Sequence, residues 1–235
     1  MLAGHTPVII DREREATPPR GFFYLHDNCN LPLTPQAIQV YKTGGTSAEY
    51  SQKVYGGVND NVSFGKNIGQ RSGYDPAEAL NILNGLQNGM VKQRSIRSFH
   101  ETVLSLREDY ARVIFTLPIN RFLPGTWKYQ ENSVEVFKLD EGEDLQNFCV
   151  YSADSGIPWY RAGAMFGYAF REFPYVKDGC RVVTKVIGGG SMIGGGSALP
   201  AYKNFLFTGR FGSWSKQLAH ESFQQVLNWL TSKEG

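Results

Sequence analysis

Between Val134 and Ile187 the sequence returns four times to a β-branched or aromatic run, at 134–139, 148–152, 162–170 and 181–187, with Gly, Asp or Pro signals between the runs. Runs of that length and spacing make strands of an antiparallel sheet, because each can bury one face and the breaks supply the turns. Two shorter runs, 102–106 and 111–117, flank the turn-like Arg107-Glu108-Asp109, and Pro118 closes the second. The opening Pro7-Val8-Ile9-Ile10-Asp11 is a β-branched run ending in charge, as in a buried parallel strand.

Helical signals are fewer. Asp75-Pro76-Ala77-Glu78 starts a helix: Asp75 caps it, Pro76 lacks the N–H that the first turn would orphan, and Glu78 closes a capping box. Leu80, Leu83 and Leu86 carry that helix toward Gly89. Residues 16–74 hold Pro18, Pro19, Pro32 and Pro35 among Gly, Asn, Thr and Ser, and are expected to be loop and short irregular elements. Near the end the period changes. Phe205-Leu206-Phe207-Thr208 reads as a strand, Gly209-Arg210-Phe211-Gly212 as a turn, and Leu218, Ala219, Phe223, Val226, Leu227 and Leu230 as one face of a helix from about Ser215 to about Ser232.

A strand that passes through glycine into a helix start offers unpaired N–H groups and a positive dipole end to an anion. There Gly209 lets a ligand approach the backbone, Arg210 suits a phosphate oxygen, and Ser213 or Ser215 is placed to cap the helix. The same residues also suit an ordinary connection with a surface arginine. Asp11, at the end of its strand, stands where a dinucleotide-binding unit carries the carboxylate that meets a ribose hydroxyl. A strand-end ion pair within Asp11-Arg12-Glu13-Arg14 is the other reading.

Much else is excluded. With 41% hydrophobic and 20% charged residues the 235-residue chain is globular, of one large domain or one domain with a smaller lobe. Its 24 Lys+Arg against 22 Asp+Glu leave +2, too balanced for a nucleic-acid or membrane binder. Cys29, Cys149 and Cys180 are too far apart for a disulfide framework or a Cys-x-x-Cys site, which points to a reducing cytoplasm. No apolar run approaches the roughly 20 residues of a membrane span, and charged residues from Asp11 to Glu15 replace a signal-peptide core. A serine-nucleophile elbow, a Walker-type phosphate loop and histidine spacing for zinc are all missing. The glycines of 188–197 follow a strand-like run, but Ile193 stands where a Gly-x-Gly-x-x-Gly turn needs its third glycine and Pro200 interrupts the helix. That stretch reads as a loop of linker composition.

Gly4-His5-Thr6-Pro7-Val8-Ile9-Ile10-Asp11, Arg112-Val113-Ile114-Phe115-Thr116-Leu117-Pro118, Ile157-Pro158-Trp159-Tyr160-Arg161 and Asn204-Phe205-Leu206-Phe207-Thr208-Gly209-Arg210-Phe211-Gly212-Ser213-Trp214 occur in an order that resembles the amine-oxidase-like FAD-dependent flavoproteins. Within that superfamily they are most similar to UDP-galactopyranose-mutase-like and protoporphyrinogen-oxidase-like members. The resemblance implies an α/β (mixed α+β) fold: an incomplete Rossmann-like FAD-binding lobe from 1–40 and 181–235 with part of 91–125, and a β-rich substrate lobe at 41–180. It lacks the N-terminal Gly-x-Gly-x-x-Gly strand and turn. By the resemblance, Asp11 and Arg12 would meet the adenosine ribose side of FAD, and Gly209 and Arg210 its pyrophosphate and ribityl chain. Gln217 and Leu218 would approach the flavin ring, and Tyr160 and Arg161 would face a small-molecule substrate. His26 would lie near that cleft or in a solvated loop. The implied activity is flavin-mediated oxidoreductase or mutase chemistry. The alternatives are a non-catalytic binding or assembly module and one part of a split enzyme, completed by a second chain that supplies the missing strand.

Overall fold

The computed structural model describes residues 9–11, 24–26, 31–57, 64, 69–86, 91–93, 106, 109–121, 125–140, 146–186, 191–192, 204–215 and 217–232. In chain order the first half holds β1 (Ile9–Asp11), β2 (Leu25–His26), β3 (Gln36–Thr43), α1 (Ser47–Tyr55), β4 (Gly69–Tyr74), α2 (Pro76–Leu86), β5 (Val91–Gln93) and β6 (Val113–Phe115). The second half holds β7 (Gly125–Thr126), β8 (Tyr129–Lys138), β9 (Phe148–Ser152), β10 (Arg161–Met165), β11 (Tyr168–Phe173), β12 (Arg181–Val186), β13 (Ser191–Met192), β14 (Phe205–Phe207), α3 (Gly209–Gly212) and α4 (Ala219–Thr231). The fold is mixed α/β, built on an eight-stranded sheet in the order β12-β8-β11-β10-β9-β3-β4-β2.

Neighbours in that sheet are antiparallel except β3 and β9, which run parallel with Val40 beside Cys149 and Lys42 beside Tyr151. The expected run at 162–170 is two strands. Phe166 and Gly167 both take positive φ, 52° and 80°, which is the turn a two-residue hairpin needs, and the Phe166 N–H donates to Asn147 Oδ1 at 2.8 Å. Gly163 is what lets β10 lie tight on β9: a Cβ there would stand 2.1 Å from the Phe148 carbonyl oxygen.

The loop and short irregular elements expected over 16–74 are corrected at four places, since β2, β3, α1 and β4 all fall within that stretch. Along β3 the alternation is real, with Ile38 and Val40 buried and Tyr41 exposed. A capping box starts α1: Thr46 Oγ1 accepts from the Glu49 N–H, and the Glu49 carboxylate accepts from the Thr46 N–H at 2.7 Å. Gly56, at φ 69°, ends it. Tyr50 and Val54 of α1 then bury against Ala153, Tyr160 and Phe64, so the helix covers one face of the sheet.

Three two-stranded sheets complete the described fold. β1, read from the sequence as a parallel-type strand, pairs in parallel with β5, and β6 pairs in parallel with β14. The third joins β13, within the glycine-rich segment read as a loop, to β7. The eight-stranded sheet takes in β12, β2 and most of β3, so its hydrogen bonds run across the lobe boundaries drawn at 40 and 181. Val186, at the end of β12, packs in one apolar cluster with Phe115, Phe205 and Trp214, which fastens the β6·β14 pair to the large sheet. Asp75 caps α2 through the Ala77 N–H at 2.8 Å. The final helix begins at Ala219, not Ser215, and its Leu218 N–H donates to Glu221 Oε2 at 2.6 Å. None of its side chains is fully buried. Arg112 donates to the Trp229 and Ser232 carbonyls at its far end and lies over the Trp229 ring, as a cation at a helix C-terminus should. No described helix is long and apolar enough to cross a membrane.

The tight β9–β10 contact yields a test. Gly163→Ala should lower stability by about 1–3 kcal/mol in urea denaturation, as overpacking in a fitted interior does. Gly57→Ala, where a Cβ meets nothing within 4 Å, should stay within about 0.5 kcal/mol of the parent.

Candidate functional site

Strand register sets Lys42, Tyr151, Arg161 and Glu172 side by side across β3, β9, β10 and β11, on the face that α1 covers. Tyr160 stands just before β10, where its N–H donates to the Glu172 carbonyl at 3.0 Å and its own carbonyl accepts from Ser152. Its side chain turns into the same row. The Tyr160 hydroxyl donates to Glu172 Oε1 and accepts from Asn132 Nδ2 at 2.9 Å and from the Lys185 ammonium at 3.4 Å. Arg161 gives Nε, at 2.7 Å, and Nη2 to Glu172 Oε2. One carboxylate, 8% exposed, thus gathers an arginine and a tyrosine.

Aromatic rings surround this pair. Tyr50 stacks on Phe64 at 4.6 Å and meets Tyr151 and Tyr160 edge-on. Lys185 lies 4.4 Å from the Tyr160 ring centroid and 4.8 Å from that of Tyr55, while Lys42 lies over Phe64 at 5.5 Å. Burial pushes the Tyr160 phenol far up, and the Glu172 charge adds to it, so it keeps its proton. Burial likewise lifts Tyr151 to about 12 and the Cys149 thiol to about 11. Burial alone would raise the Glu172 carboxyl, but Arg161 first, then Lys185 and the Tyr160 hydrogen bond, hold it below the ordinary range. It is therefore an anion at neutral pH.

The turn at 209–212 is linked to this row through charge. Arg210 is exposed and its charge acts on Tyr55, countering part of the burial that raises that phenol. Gly209 has φ 76°, and a Cβ on it would meet nothing within 4 Å. The expected anion site on its N–H needs correction, because that N–H donates to Gln217 Oε1 at 2.8 Å. Gln217 in turn donates to Gln225, which also accepts from Thr208. Ser213 bonds back to the Gly209 carbonyl and to Ser215, and so neither caps the final helix. Gly212 is needed for packing, since a Cβ there would stand 2.4 Å from the Phe115 carbonyl oxygen. A dinucleotide phosphate at this turn would find open space and the Arg210 guanidinium, but no free amide at Gly209.

The predicted residues are thus partly gathered. Tyr160 and Arg161 meet on Glu172, Gly209 meets Gln217, Arg210 is exposed with its charge felt at Tyr55, and Leu218 is exposed at the start of α4. Asp11 ends β1, beside Gln93 of β5, in a sheet separate from β6·β14. His26 pairs with Gly73 at the sheet edge, and Arg12 lies outside the described residues. Glu172, Asn132, Lys185 and Tyr55 were not anticipated; the β-branched and charged Arg181–Val186 run marked a strand but not its neighbours. The wholly buried Asn132 Oδ1 has no partner. Among the described residues no three of His, Cys, Asp or Glu gather as for a metal ion. No family model matches the chain. No curated protein matches it.

The Glu172 carboxyl gives a pH prediction. A carboxyl depressed in the fold adds stability above its unfolded value, about 4.3, and that stability is lost as pH falls through the folded value. Between pH 7 and pH 3 the urea midpoint of Glu172→Gln should therefore fall less than that of the parent. Parallel curves would show that Glu172 is not held as the anion of this row.

Proposed function

We propose that the chain is a flavin-dependent oxidoreductase-like or mutase-like protein, with the Tyr160 row on the substrate side and the Arg210 turn on the cofactor side. The observation that carries this reading is the position of Tyr55, which shares the Lys185 ammonium with Tyr160 and feels the charge of Arg210. On this reading the sheet face and the turn at 209–212 address one region. When bound, FAD supplies the two-electron step, and the chain supplies orientation and exclusion of water.

Within the row the roles divide by hydrogen bonding. Tyr160 spends its proton on Glu172, and Arg161 spends two N–H groups on the same carboxylate, so both act as positioning residues. Lys185, half-buried, adds a cation over the Tyr55 and Tyr160 rings beside this network. The non-catalytic alternative draws support from the Gly209 N–H, which Gln217 already occupies.

A flavin titration separates the two. Purified protein should take up FAD, with absorption released on denaturation, and Arg210→Ala should weaken uptake by about 1.5–3 kcal/mol, the worth of a charged hydrogen bond. Colourless protein that takes up no added FAD would leave the binding-module reading. Equal affinity in Arg210→Ala would remove that residue from the site.

A further inference from the structure

The face of the large sheet opposite α1 is apolar where a solvated antiparallel face is ordinarily polar. Across β3, β9, β10, β11 and β8, register lines up Gln39, Phe148, Ala164, Ala169 and Phe137 in one row. The next row runs Tyr41, Val150, Ala162, Arg171 and Glu135. Both rows alternate with Lys42, Cys149 and Glu172, so they point away from α1. Tyr41 is 45% and Phe137 52% exposed. The middle of this face is low, with alanines on β10 and β11, and its large apolar side chains stand on the strands at either side.

We infer that this face is covered by the same face of a second copy of the chain, in a two-fold dimer whose axis runs along β10. The inference stands apart from the flavin reading. A two-fold interface must be complementary to itself, and the pattern about β10 is. Rotation about that strand exchanges β9 with β11 and β3 with β8. It sets Phe148 opposite Ala169 of the second copy and Phe137 opposite Gln39, so that large meets small or polar in each case. Tyr41 falls opposite Glu135, a phenol donor facing a carboxylate, and Val150 opposite the apolar stem of Arg171. No like charges are brought together, because Arg171 and Lys177 both lie beside Glu135 at one end of their row. Five strands about 4.8 Å apart and two rows of about 7 Å each give a flat footprint of about 340 Å² per copy. The relief of the rings, with Val182 of β12 and Tyr175 beside β8 still 47% and 46% exposed, widens the contact. The sum over both copies approaches about 1,000 Å², the lower bound of a specific interface, so the dimer is weak and reversible.

Sedimentation equilibrium of the full chain at micromolar to millimolar concentrations tests this, and a reversible equilibrium of monomer and dimer is the expected result. Tyr41→Glu puts a carboxylate opposite Glu135 of the second copy and should weaken the dimer about tenfold or more. Tyr41→Lys puts a cation at the same place and should hold the dimer near its parent strength. Phe137→Glu should weaken it as Tyr41→Glu does. Phe223→Glu, on the exposed side of α4, should leave it unchanged. All three positions are exposed, and a circular dichroism spectrum matching the parent's confines the comparison to folded variants. A monomer at every concentration, or a dimer as strong in Tyr41→Glu as in the parent, would overturn the inference. So would equal losses in Tyr41→Glu and Tyr41→Lys, or a dimer broken by Phe223→Glu alone.

Discussion

A carboxylate buried inside a sheet is unfavourable unless it is paired and hydrogen-bonded, and Glu172 meets that condition through Arg161 and Tyr160 together. The pairing fixes more than itself. It holds Tyr160 against Tyr50, so that α1 has a polar anchor beneath its apolar contacts, and it sets the hydroxyl on which Lys185 rests. Remove the carboxylate, and the face is left with a part-buried, unpaired guanidinium and a buried phenol that has lost its acceptor. The arrangement of the candidate site follows from that one anion.

What the sequence shows and what it hides divide along the range of the interactions. Local signals survive translation into structure: Asp75 caps its helix, the 113–115 and 205–207 runs are strands, and Gly209 takes a left-handed conformation. In the glycine-rich first third, Thr46-Ser47-Ala48-Glu49 is a legible capping box, and α1 was within reach of a reading that weighted it above the surrounding loop residues. Long-range pairings are different. Glu172 sits in Phe170-Arg171-Glu172-Phe173 with nothing local to mark it as buried, and its partnership with Arg161 appears only once the hairpin at Phe166-Gly167 sets the register. Asn132 and Lys185 join through the β8–β12 pairing, equally invisible from either strand alone.

The chain-end turn shows how a local motif can be right in shape and altered in use. Strand, glycine and helix all stand near their expected places, yet the amide that would face an anion is given to Gln217. The turn is secured from behind by the cluster of Phe115, Val186, Phe205 and Trp214, and Trp214 accepts a φ of 47° to stay in it.

The claim on which all of this stands is that Arg161 and Glu172 are held as one buried unit. A double-mutant cycle with Arg161→Met and Glu172→Met, read by urea denaturation, measures it most directly. Each single change should cost about 3–5 kcal/mol by stranding its partner, and the double should cost less than their sum by about 2 kcal/mol or more. Losses that simply add would mean that the two side chains do not depend on one another.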